Sequence, residues 1–66
     1  LKTCNENIEK SIAMAEEMAA LADAGDLARE DVGCGILYGI LRDSAYRIRK
    51  AAETEKRAHM EKGTWE

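Results

Sequence analysis

The sequence predicts an all-α fold, an antiparallel two-helix hairpin that dimerises into a four-helix bundle. Three observations carry this. Proline is absent and only five glycines interrupt 66 residues, too little turn punctuation for a sandwich or barrel. Two long stretches repeat their apolar residues in alternating steps of four and three, the spacing of a helix face. One short segment joins them, and a short connection makes neighbouring helices antiparallel. Residues 1–66 therefore form a single domain.

The first helix is expected over about residues 5–24. Ile8, Ile12, Ala15, Ala19 and Ala22 form its stripe, flanked by Met14, Met18 and Leu21. Thr3 or Asn5 can cap its start. Gly25 suits the position just past its end, because glycine enters the left-handed conformation without strain. Residues 25–31 form the turn, with Asp26 and Asp31 as candidate caps for the second helix.

That helix is expected over about residues 32–62, with Gly63 as its stop. Its stripe reads Leu37, Leu41, Ser44, Ile48, Ala51, Glu55 and Ala58, widened at the start by Ile36, Ile40, Ala45 and Ala52. At 1.5 Å per residue it reaches about 45 Å, against about 30 Å for the first helix. Its polar last turns, near residues 56–62, are therefore expected to overhang.

Small residues mark where the helices meet. Ala15 and Ala22 are seven apart, as are Ala45 and Ala52. That repeat lets two helix axes approach closely. Gly33, Gly35 and Gly39 each cost about 1 kcal/mol relative to alanine in a helix. Close contact with another helix or with a tyrosine ring is the expected reason.

A single hairpin buries one stripe per helix, and the apolar arcs here are wider. Each apolar side chain left in water forgoes roughly 1.5–3 kcal/mol, which is large for a small domain. The expectation is a homodimer whose interface uses Ile12, Met14, Met18, Leu21, Ile36, Tyr38, Ile40 and Tyr46. Tyr38, Arg42 and Tyr46 form a row at steps of four, of residue types favoured at interfaces.

Net charge is −3, but it is unevenly spread. Residues 1–31 hold eight acids against three bases, and residues 32–66 hold five acids against seven bases. The halves attract when folded together. An acidic total argues against a nucleic-acid coat protein. The chain has no apolar run near the roughly 20 residues needed to span a bilayer and no signal-peptide pattern. Its two cysteines are too few for a disulfide scaffold. The reading is a cytoplasmic protein without a membrane role. The chain begins with Leu1, which leaves a longer natural N-terminus open.

Chemistry-bearing residues are sparse. Cys4 and Cys34 fall at opposite ends of a hairpin, roughly 30 Å apart, too far for an internal disulfide. His59 is the only histidine and has no ligands at metal-site spacing; Glu55, four residues earlier, can pair with it. Glu16 and Glu17 are adjacent and point apart, so they are no acid–base couple. No catalytic, cofactor-binding or metal-ligating residue is assigned. One alternative stands beside the structural reading. Arg42, Arg49 and Lys56, seven apart, with Lys50 and Arg57 nearby, could track a phosphate backbone. Acids interrupt the rows, and Asp43–Arg47 and Glu53–Arg57 are expected as ion pairs. The favoured function is a non-enzymatic structural or protein-interaction module acting as a homo-oligomer, with another protein partner possible. The alternative is a small nucleic-acid-binding regulator.

Overall fold

A computed structural model describes residues 1–66. Helix α1 spans Thr3–Ala28 and helix α2 spans Val32–Glu61, and no other element is present. They pack antiparallel along their lengths into a rod 48 × 15 × 13 Å.

Helix α1 ends four residues later than the sequence suggests. It runs through Gly25 and stops at Ala28, where Arg29 turns extended at φ −65°, ψ 143°. Gly25 is therefore no terminator. Its missing β-carbon makes room for Tyr38, because a Cβ there would collide with the tyrosine ring. The glycine penalty inside a helix, about 1 kcal/mol, is set against burial of an aromatic face. The tyrosine contact anticipated for the later glycines thus falls on Gly25, and Gly39 has open space around it.

The turn shrinks to residues 29–31. Asp31 caps α2 by accepting from the Cys34 N–H at 2.7 Å, in the usual geometry of an aspartate cap. Neither Thr3 nor Asn5 caps α1; Lys2 holds that position without a side-chain bond. Helix α2 ends in a Schellman motif. Gly63 at φ +73° donates to the Met60 carbonyl at 3.1 Å, and Thr64 donates to the His59 carbonyl at 2.8 Å. Only a residue without a β-carbon takes that φ without strain.

The expected overhang of α2 is absent. With α1 extended at both ends, the helices have 26 and 30 residues. Residues 64–66 then fold back over the start of α1. Asn5 Nδ2 donates to the main-chain oxygens of Thr64 at 2.8 Å and Glu66 at 3.1 Å. The Lys2 N–H also donates to the Glu66 oxygen. Trp65 lies beneath Lys56, whose Nζ is 5.1 Å from the ring centroid.

The core is made of small residues. Ala15, Ala22, Ala45 and Ala52 are the buried apolar residues, and Asn5 joins them without exposed area. Half-buried Ile8, Ile12, Ala19, Tyr38, Leu41 and His59 complete the seam. On α2 the inward positions are thus 38, 41, 45, 52 and 59. The sequence stripe at 37, 41, 44, 48, 51, 55 and 58 shares Leu41 with them, and its Ser44 and Ala58 are half-buried. Leu37, Ile48, Ala51 and Glu55 are exposed, so the stripe is rotated off the seam by somewhat less than the 100° of one residue. Burying alanine lets the axes come close, and it turns the large aliphatic side chains of α2 away from α1.

Candidate protein-interaction surface

The hairpin has two unlike sides. On one, charge is arranged in matching ladders. Glu9, Glu16 and Asp23 recur every seven residues down α1, and Lys56, Arg49 and Arg42 recur every seven up α2. Steps of seven keep each ladder on one helix edge, so antiparallel packing sets acid against base at each level. Lys56 Nζ meets Glu9 at 2.7 Å. Arg42 Nη2 meets Asp23 at 3.0 Å and Asp26 at 2.7 Å. Arg49 Nε donates to Glu53 at 2.9 Å. Hydrogen bonds to Asp26 and then Asp23 raise the Arg42 pKa above its ordinary value. Glu53, by hydrogen bond and charge, and Glu16, by charge, do the same for Arg49.

Three of the five candidate phosphate-binding residues, Arg42, Arg49 and Lys56, are therefore already partnered. Lys50 and Arg57 are exposed and take part in no ion pair. The expected Glu53–Arg57 pair is replaced by Arg49–Glu53. Asp43 and Arg47 likewise form no pair with each other.

The other side of the seam is apolar. Met14, Leu21, Leu37 and Ile40 are each 55–61% exposed, and Ile48 is 39% exposed. Helical spacing places Met14, Met18 and Leu21 on one flank of α1, next to the Leu37, Ile40, Leu41 and Ile48 flank of α2. Toward the open end this side becomes polar, where Asn7, Ser11 and Glu55 line a groove with Ile8, Ile48 and Ala51.

The predicted interface residues separate accordingly. Met14, Leu21 and Ile40 are exposed on the apolar side, and Ile36 is exposed at the turn end, facing away from α1. Ile12, Met18 and Tyr38 are half-buried, with Ile12 and Tyr38 drawn into the hairpin's own seam. Tyr46 is exposed on the charged side, in a groove with Glu16, Arg42 and Arg49. Leu37, expected in the inner stripe, lies instead among the exposed aliphatics.

Sequence reasoning missed the polar clasp at the open end. Asn5 Oδ1 accepts from His59 Nδ1 at 2.6 Å, and the Cys4 thiol approaches the same oxygen at 3.7 Å. His59 Nε2 faces Glu55 at 3.6 Å, the neighbour expected for it. The signal was present, because Asn5 continues the step of seven through Ile12 and Ala19, and His59 continues Tyr38, Ala45 and Ala52. No hydrogen bond joins Cys4 to His59. Both cysteines are free. No three His, Cys, Asp or Glu side chains gather as a metal-holding group, and no helix is long and apolar enough to cross a membrane.

The chain matches no protein-family model, no curated protein and no solved structure.

Proposed function

We propose that this chain is a non-enzymatic helical interaction module that acts as a homo-oligomer through its apolar side. One observation carries the reading: alanines fill the seam while Met14, Leu21, Leu37, Ile40 and Ile48 stay in water. Covering the exposed half of one such side chain gains about 1 kcal/mol, so the five together offer about 5 kcal/mol gross. A chain of this length has a net stability of roughly 3–10 kcal/mol. The uncovered surface is thus comparable to everything that holds the hairpin folded, and a second hairpin laid on this side completes a four-helix bundle. The same reading puts the protein in the cytoplasm, where Cys4 and Cys34 stay reduced.

The nucleic-acid reading draws less support, since Arg42, Arg49 and Lys56 spend their charge on the chain's own carboxylates. Small-angle scattering over a concentration series tests the proposal. The expected result is a particle of twice the chain mass at tens of micromolar. A concentration-independent monomer there contradicts it.

A further inference from the structure

We propose that the second copy docks antiparallel, α2 against α2, about a two-fold axis passing near Ser44. This rests on the self-association reading above and adds its orientation. On α2 the apolar zone runs from Leu37 to Ala51, and its midpoint is the small residue Ser44. Toward the open end this side turns polar at Ser11 and Glu55. Two symmetric arrangements lay zone on zone. A parallel pairing also lays the polar ends on one another and takes both Glu55 carboxylates out of water, a desolvation that pairing with the partner's Lys10 at the same level does not repay as a rim contact would. An antiparallel pairing sets each polar end against the partner's turn, at the edge of the contact.

Charge points the same way. Asp43 and Arg47 flank Ser44 and stand four apart on one helix, the right spacing to pair. Neither makes an ion pair within the hairpin. An antiparallel axis between them brings Asp43 level with the partner's Arg47, and symmetry supplies the reciprocal pair. A parallel pairing instead sets Asp43 beside the partner's α1, which has no basic residue between Lys10 and its end.

Two measurements test the orientation. A nitroxide on exposed Cys4, in a Cys34→Ser background, reports the separation of the two open ends. The antiparallel dimer predicts about 50 Å by pulsed dipolar spectroscopy and a parallel dimer about 20 Å, from 1.5 Å of rise per residue. A dimer with the short distance overturns the orientation and leaves self-association standing. A monomer by sedimentation, without dipolar coupling, overturns the underlying reading as well. Second, Asp43→Arg or Arg47→Asp alone weakens the dimer roughly three- to tenfold, as expected for two exposed ion pairs. The double reversal restores it. A double variant no tighter than either single one overturns the proposal.

Discussion

The imidazole Nδ1 of His59 lies 2.6 Å from the side-chain oxygen of Asn5, 54 residues away in sequence. The amide nitrogen of Asn5 donates to two tail carbonyls, so its oxygen faces the ring. Nδ1 must then carry the hydrogen and donate it. Asn5 has no exposed area, yet its side-chain oxygen and nitrogen are both hydrogen-bonded. A buried polar residue in a seam of alanines fixes the register of two helices that could otherwise slide.

Asn5→Ala removes this clasp. It leaves the Thr64 and Glu66 carbonyls and the His59 ring without their partner, at a cost of about 2–3 kcal/mol. Urea denaturation measures the loss. Trp65 is the single tryptophan and sits on the tail that Asn5 holds, so its fluorescence should shift to the red in the variant. An unchanged midpoint and spectrum would falsify the clasp.

Gly25 and Gly39 offer a paired test of the packing. A β-carbon on Gly25 collides with the Tyr38 ring, whereas one on Gly39 meets nothing within 4 Å. Gly25→Ala should destabilise by about 1–3 kcal/mol through overpacking. Gly39→Ala should stabilise by about 1 kcal/mol through helix propensity. Both are read as shifts in the denaturation midpoint. Equal effects of either sign would sink the Tyr38 assignment.

Asp31 gives a pH dependence of known sign. Its cap hydrogen bond to the Cys34 N–H, the largest influence on it, holds its pKa below the ordinary carboxylate value. A depressed folded pKa contributes stability that is present above the unfolded value of about 3.9 and is lost as pH falls through the folded one. Asp31→Asn keeps a capping oxygen and removes the titration. The wild type should be the more stable at pH 7, and the difference should close as pH falls below the usual carboxylate range. Thermal melts of both proteins across acid pH measure it, and a constant gap would count against the cap's charge.

Much of the architecture was legible in the sequence. Steps of four and three gave the two helices, and Ala15, Ala22, Ala45 and Ala52 at intervals of seven marked the seam. The basic row Arg42, Arg49, Lys56 was visible too, though not the acids that face it, since their pairing depends on helix register. The hidden features depended on tertiary contacts. Periodicity locates an apolar arc but does not say which part of it turns inward. Large residues such as Leu37 and Ile48 looked like core, yet alanine allows the closer approach and wins the seam. Gly25 looked like a stop because the Tyr38 ring that explains it comes 13 positions later. The fold-back of residues 64–66 was not legible because its anchor, Asn5, is at the other end of the chain.

Self-association through the apolar side is decided by sedimentation equilibrium on three proteins: the wild type, Ile40→Lys and Met60→Lys. Ile40 and Met60 are similarly exposed, at 60% and 53%, but helical spacing puts Met60 away from the apolar side. The wild type and Met60→Lys should be dimers, and Ile40→Lys a helical monomer. A wild-type monomer, or a dimer that Ile40→Lys leaves intact, would contradict self-association through this side.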